Sequence, residues 1–351
     1  QRKLKKVVQK KNRFLELLIS QYLHHLCQKA LKKKVKEIVN TVFVGDSRDV
    51  LKDYPDKCVD LCITSPPYWG LRDYGVDNQI GLELERDEYI GELVSVFDEV
   101  HRILKDDGTM FLNLGDSYSG STGRSGGISE INSKARQLKT GSYKDLRPAK
   151  VAGVPPQSLM LIPHRVAIAL QDSIGWIIRA ELIWSKTNPM PESVDNRPSK
   201  SHETIFFLSK IPTGYYYNQE VLSEPAKNQN SGYSWLQRKL HGEPSRHGLD
   251  GAAASGAGNF RTGERRNMRT VITLPTNSYK GAHFATFPPK LISPFIKGCS
   301  REGGIVLDPF MGSGTVAEVS KKLGRLYTGV ELNEEYHKLI NERTSQMEMF
   351  I

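Results

Sequence analysis

Six consecutive residues, Thr64-Ser65-Pro66-Pro67-Tyr68-Trp69, concentrate more chemistry than any other stretch of this chain. Two prolines stiffen the backbone and remove two N–H donors, which leaves carbonyl oxygens free to accept. A hydroxyl precedes them and two aromatic rings follow. Such a set can hold an amino group by acceptor contacts while a ring stacks on a flat base. Taken alone, the same residues also fit an ordinary turn after a strand, with two core aromatics. A second stretch, Asp308-Pro309-Phe310-Met311-Gly312-Ser313-Gly314-Thr315, joins an acid to a Gly-rich turn. Glycines let a backbone approach a ligand closely, and a helix start offers unpaired N–H groups to an anion. Val316 and Ala317 stand where a triphosphate-binding loop carries its Lys, which argues against that class. Glu331 ends the next apolar run, the placement of an acid that hydrogen-bonds ribose hydroxyls.

These residues need elements to position them, and the hydrophobic pattern supplies strands alternating with helices. Strands are expected at Val42–Val44, Val59–Ile63, Thr109–Leu114, Trp176–Trp184, Thr204–Ser209, Gly304–Leu307 and Leu326–Val330. Helices are expected around Asp49–Tyr54, Glu88–Leu104, Gln157–Asp172, Lys290–Lys297, Thr315–Lys322 and Glu334–Arg343. The turn Asp106-Asp107-Gly108 should separate the second of these helices from its strand. Such alternation predicts an α/β fold, a mostly parallel sheet flanked by helices, with ligands beyond the carboxyl ends of the strands. Asp46 and Ser65–Tyr68 fall at those ends. Asp46 also suits a helix N-cap, in competition with Ser47. Four segments follow: a basic helical stretch over 1–40, a catalytic half over 41–218 with a mobile loop at 117–150, an irregular region over 219–279, and a second half over 280–351.

In content and order, the two motifs resemble the S-adenosylmethionine-dependent DNA amino-methyltransferases, from about Val42 to Gln346. The Ser65–Tyr68 motif comes first and the Gly-rich motif last, which is similar to the permuted order of that family's beta group. His283-Phe284-Ala285-Thr286-Phe287-Pro288-Pro289-Lys290 and Gly45-Asp46-Ser47 resemble two further motifs of the group. The resemblance implies a Rossmann-like methyltransferase fold with target recognition in 219–279. It also implies S-adenosylmethionine as cofactor, S-adenosylhomocysteine as product, and double-stranded DNA as partner. Ser65, Pro66, Pro67 and Tyr68 would be catalytic: a flipped base stacks on Tyr68 while the Ser65 hydroxyl and Pro66 carbonyl accept the hydrogens of its amine. Asp46 would contact the cofactor adenine and Glu331 its ribose. Asp308, Phe310, Gly312, Ser313, Gly314 and Thr315 would cradle the rest, aided by Lys290 or Phe287. Trp69 would wall the pocket on the DNA side. Arg261, Arg265, Arg266 and Arg269 would touch phosphate or guanine, or else form a solvated run. Asp116 and His202-Glu203 fall on the same side with no role assigned. Ser in the first catalytic position points to the N4 amine of cytosine, in a site-specific restriction-modification enzyme. Three alternatives stay open: an adenine-N6 enzyme with an atypical serine, an RNA methyltransferase stacking bases on residues such as Tyr215 and Trp235, and a non-catalytic DNA-binding subunit.

Composition bounds the remaining classes. With 351 residues, 38% of them hydrophobic and 25% charged, the chain can build a core of domain size. The net charge of +10 is uneven: residues 1–40 carry twelve Lys or Arg against Glu16 and Glu37, whereas 41–115 carry seven basic and sixteen acidic residues. The basic excess returns over 116–275, with twenty-one basic and thirteen acidic residues, a distribution that suits a polyanionic partner. No metal is expected, because the four cysteines and nine histidines form no zinc spacing and no HExxH motif. No cysteine follows a proline, which disfavours methylation at cytosine C5, a reaction that needs a thiolate nucleophile. No apolar run reaches the length of a membrane span. Expected surroundings are the bacterial cytoplasm and nucleoid, or the nucleus of a eukaryote. A homodimer is compatible with these readings, and Gln1 in place of Met is compatible with a fragment.

Overall fold

The computed structural model describes residues 32–71, 73–120, 153–225, 265–276 and 287–345. Most of the expected helix over 1–40 lies outside them; residues 32–38 are helical. Two compact units emerge, one formed by Gln1–Tyr217 with Thr270–Ile351 and the other by Asn218–Arg269.

The first unit is built on eight strands: β1 (Thr41–Val44), β2 (Val59–Thr64), β3 (Leu104–Leu114), β4 (Ile177–Lys186), β5 (His202–Ser209), β6 (Val271–Leu274), β7 (Ile305–Asp308) and β8 (Leu326–Glu331). They lie in the order β1-β8-β7-β2-β3-β5-β4-β6. Every neighbouring pair is parallel except the two that β5 makes, so β5 alone runs against the rest. All six residues of β2 are buried, as expected for a central parallel strand covered on both faces. Helix α1 (Arg86–Ile103) buries Tyr89, Leu93, Val96, Phe97, Val100 and Ile103 at three- and four-residue spacing, and α2 (Ile162–Ile174) packs against it. Helices α3 (Pro289–Cys299), α4 (Thr315–Lys322) and α5 (Glu334–Ser345) form the other group. Alternation along β3 separates the groups: Met110 and Leu112 join the core under α1 and α2, whereas Phe111 stacks on Phe295 of α3 at 4.1 Å between ring centroids. Helices therefore cover both faces of the sheet.

Three boundaries differ from the sequence reading. The Asp106-Asp107-Gly108 turn is absorbed into β3, whose pairing with β2 skips from Leu104 to Thr109 and leaves four residues bulged between them. Helix α2 starts at Ile162 because Leu161 sits in the left-handed region and interrupts the backbone there. Val271–Leu274, expected inside the irregular region, belongs to the main sheet: it pairs with β4, and the Trp184 indole donates to the Leu274 carbonyl at 3.1 Å. Most of the loop expected over 117–150 lies outside the described residues. In the second unit, Glu224–Pro225 pairs with Arg265–Arg266.

One consequence of the strand order matters most. After β2 the chain moves to β3 on one side, and after β7 it moves to β8 on the other. Strands β2 and β7 are neighbours, so the connections leaving their carboxyl ends diverge and open a crevice between them.

Candidate active site

The crevice brings together two motifs more than 240 residues apart in sequence. The Thr64 hydroxyl at the tip of β2 donates to Asp308 Oδ1 at the tip of β7, at 2.7 Å. Beyond Thr64 the two prolines turn the chain, and their carbonyls have different surroundings. The Tyr89 hydroxyl donates to the Pro67 carbonyl at 2.9 Å, whereas no group among the described residues donates to that of Pro66. The Tyr68 ring lies against the backbone of Gly115, where a Cβ would stand only 2.3 Å from the ring. Its hydroxyl donates to Glu203 Oε2 at 2.8 Å. The Asn113 carboxamide nitrogen lies 2.8 Å from the same carboxylate oxygen, 3.0 Å from the Tyr68 hydroxyl and 3.3 Å from Ser65 Oγ. Asn113 Oδ1 is buried and has no partner among the described residues. Burial alone would raise the Glu203 carboxyl, but the adjacent Lys186 ammonium and three hydrogen bonds hold it below the usual carboxylate range.

The second motif forms one wall of a partly open pocket. Gly312 (φ 54°) and Gly314 (φ 80°) occupy the left-handed region, which glycine adopts without penalty, and the turn delivers the chain into α4. The Glu331 carboxylate reaches across from β8 and accepts from the amides of Gly312 (2.7 Å) and Asn333 (2.8 Å). Asp308 Oδ1 accepts from the Phe310 amide at 3.0 Å. Ile80, Phe287, Met311, Val330 and Leu332 supply apolar lining, and Asp46, Ser65 and Pro67 close the side toward the first motif. Apolar walls, a Gly-rich turn at a helix start and an acid at a strand tip fit the nucleoside and amino-acid parts of the sulfonium cofactor that the motifs imply. The Glu331 carboxylate, with four lone pairs in all, keeps room for a hydroxyl donor.

Burial pushes both the Asp308 and Glu331 carboxyls up to about 7. At pH 8 each is mostly ionised, and at pH 6 about nine-tenths protonated. A cationic cofactor held by ionised Glu331 should therefore bind about tenfold more weakly at pH 6 than at pH 8 by titration calorimetry, and Glu331→Gln should reduce that dependence to what Asp308 contributes. The stability of the free protein has the opposite sign. The native state holds these protons to higher pH than the unfolded chain, so stability falls as pH rises from the ordinary carboxylate range through about 7.

Among the residues singled out from sequence, Ser65, Pro67, Asp46, Asp308, Phe310, Gly312, Ser313, Thr315 and Glu331 all line the pocket, as does Phe287. Gly314 caps α4, packed against Ile340, and Pro66 is buried in the turn. Asp46 also caps the short helix Ser47–Val50 and pairs with Arg48, which in turn binds Glu92 and the Asn78 carbonyl. Two placements differ. Trp69 is only 2% exposed, sits in the hydrophobic core and donates to the Glu83 carbonyl at 3.0 Å, so its indole does not line the pocket. Lys290 is exposed on the first turn of α3 and lines no part of the pocket. In the second unit, Arg266 and Arg269 both pair with Glu224 and Arg265 binds Ser223, so these guanidinium groups are engaged within the fold. Arg261 lies outside the described residues. Asp116 holds the start of α2 through the Ile162 amide at 3.0 Å.

Sequence reasoning assigned no role to Asn113, Gly115, Lys186 and Glu203, nor to the segment from Tyr74 to Ile80 that lines the pocket. The available signal was Glu203, an acid opening a run of six buried residues in β5. The cysteines match the argument against C5 chemistry: burial pushes Cys58 and Cys299 up to about 12 and Cys62 well above its ordinary value. Cys27 lies outside the described residues. Among the described residues, no group of three or more His, Cys, Asp or Glu could hold a metal ion, and no helix is long and apolar enough to cross a membrane.

Comparison with known proteins agrees with this geometry. Residues 59–342 match the DNA methylase family whose name joins N6 and N4. The Type II methyltransferase M.XycI of Xanthomonas campestris pv. cyanopsidis is 41% identical over 304 residues, which cover 87% of each chain. The Type II methyltransferase M.SmaI of Serratia marcescens is 41% identical over 302 residues, covering 86% of this chain and 89% of its own. Among solved structures, the PvuII cytosine-N4-specific DNA methyltransferase superposes with a TM-score of 0.54 at 20% identity, covering 86% of this chain and 85% of its own, a likeness of fold. With a family match across most of its length and relatives this similar over nearly all of theirs, the chain belongs to the Type II DNA methyltransferases of the N6/N4 DNA methylase family.

Proposed function

We propose that this enzyme methylates the N4 amino group of cytosine at specific sites in double-stranded DNA. The observation that carries the reading is Ser65 in the lining of the cofactor pocket, next to a Pro66 carbonyl to which no described group donates. S-adenosylmethionine, when bound, supplies a methyl group on a sulfonium that the amine nitrogen displaces in line.

The chain's own residues must then solve two problems. A base inside a duplex is out of reach and has to be extruded, with Tyr68 offering an aromatic ring on which it stacks. An exocyclic amine is a poor nucleophile because its lone pair is delocalised into the ring. The Ser65 hydroxyl and the Pro66 carbonyl accept its two hydrogens, which favours a pyramidal nitrogen with its lone pair directed at the methyl group. Positioning supplies most of the acceleration. Ser at this position, where related enzymes acting on adenine carry an acid or amide, supports cytosine.

Nucleoside mass spectrometry on DNA from a methylation-free host expressing the chain tests this directly. A 4-methylcytosine peak is expected. A 6-methyladenine peak in its place would overturn the base assignment while leaving the site intact.

A further inference from the structure

We infer that Glu203 is a positioning residue for this transfer: it sets the direction of a hydrogen-bond chain through Tyr68, so that Ser65 Oγ meets the target amine as an acceptor. The inference rests on the reading of Ser65 as the amine-holding group.

A serine hydroxyl can point either way, and the direction decides its effect. If Ser65 donates to the amine nitrogen, it ties up the lone pair that must attack. If it accepts an amine hydrogen, it releases that lone pair. Nothing in serine itself makes the choice. The neighbours do. An ionised carboxylate only accepts, so the single hydroxyl hydrogen of Tyr68 is committed to Glu203 Oε2 at 2.8 Å. The Tyr68 oxygen is then left to accept, and Ser65 Oγ lies 3.3 Å away as a donor to it. Asn113 must turn its nitrogen, not its oxygen, toward Glu203 at 2.8 Å, because a carbonyl oxygen there would repel the carboxylate. That orientation also presents an N–H to Ser65 Oγ at 3.3 Å. The Ser65 and Tyr68 hydroxyl hydrogens therefore run toward Glu203, and Ser65, which lines the pocket, keeps one lone pair with which to accept. The same orientation leaves Asn113 Oδ1 as a buried acceptor without a partner among the described residues. Lys186, paired with the other Glu203 oxygen, stabilises the negative charge on which the direction depends. A Lys–Glu pair whose only task was to staple β4 to β5 would have no need to terminate this chain.

The test is a double-mutant cycle on the single-turnover transfer rate, using a duplex that carries a site found by sequencing DNA the enzyme has methylated. Tyr68→Phe keeps the ring and removes the link, whereas E203Q keeps the shape and removes the charge. Each should slow transfer by about 10- to 100-fold, the range expected for a lost hydrogen bond to a charged group. The double variant should be no slower than the slower single variant, within about threefold. Cofactor affinity should stay within about threefold of wild type in all three, since none removes a pocket-lining side chain. If E203Q does not fold, Lys186→Met takes its place and must likewise add nothing to Tyr68→Phe. Losses that multiply, or a Tyr68→Phe enzyme as fast as wild type, would overturn the inference. A 6-methyladenine product would refute the cytosine assignment without touching the cycle, because the chain acts on an amine in either base.

Discussion

Ser65→Ala and Tyr68→Ala should each cut methyl transfer by roughly two to three orders of magnitude, the cost of removing one preorganised polar contact from a transition state. Cofactor affinity should change by less than about threefold, because Tyr68 lines no part of the pocket and Ser65 adds only one hydroxyl to its many lining groups. For Ser65 the loss follows from one oxygen: without it the amine has one acceptor fewer and keeps its lone pair in the ring. For Tyr68 two losses combine. Base stacking on an aromatic side chain contributes about 1–3 kcal/mol. The ring's removal also leaves Glu203 and Asn113, both largely buried, without the hydroxyl that joins them to Ser65. Single-turnover transfer and titration calorimetry separate the two quantities. Normal transfer by both variants would show that the chemistry lies elsewhere, whatever the motif resembles.

How much of this was legible in the sequence depends on the range over which each feature is encoded. The strands and helices around the crevice are local patterns. The buried run of β2 and the three- and four-residue spacing of α1 state their own environments. The two motifs are local as well, since each is a turn whose residues sit side by side in the chain. What could not be read is what the sheet assembles from separate strands. Asn113 lies one residue before the end of β3 and Glu203 one residue after the start of β5, and only the antiparallel pairing of the two strands brings both beside Tyr68. Lys186 joins them because β4 runs against β5 and ends where β5 begins. Trp69 shows the converse error. A ring beside Tyr68 looks like part of the site, but one residue further along the turn the Trp69 side chain points into the core. Lys290 misleads for a related reason: a cation just after Pro-Pro at a helix start faces solvent, while Phe287 three residues earlier reaches the pocket.

Gly115→Ala should leave the protein folded and able to bind its cofactor, yet lower transfer about a hundredfold, the loss that follows a displacement of about 1 Å at a reacting group. The backbone at Gly115 is not in the left-handed region, so alanine meets no torsional strain there. The three nearest atoms all belong to Tyr68: the added carbon would stand 2.3 Å from one ring atom, 2.4 Å from a second and 3.1 Å from a third. One of the two must move. Gly115 follows directly on β3, whose last residue, Leu114, is paired with Thr204 of β5, which resists a shift of the backbone. The ring is tied through its hydroxyl to Glu203, Asn113 and Ser65, and tilting it away from the new methyl group stretches those bonds and turns the stacking face. A melting temperature within a few degrees of wild type and unchanged cofactor binding are therefore expected beside the slow transfer. Combining Gly115→Ala with Tyr68→Ala isolates the cause. Once the ring is gone the methyl group has space, so the double variant should transfer at the rate of Tyr68→Ala alone. A further loss in the double variant would mean that Gly115 serves the site through its backbone and not through the room it leaves for the ring.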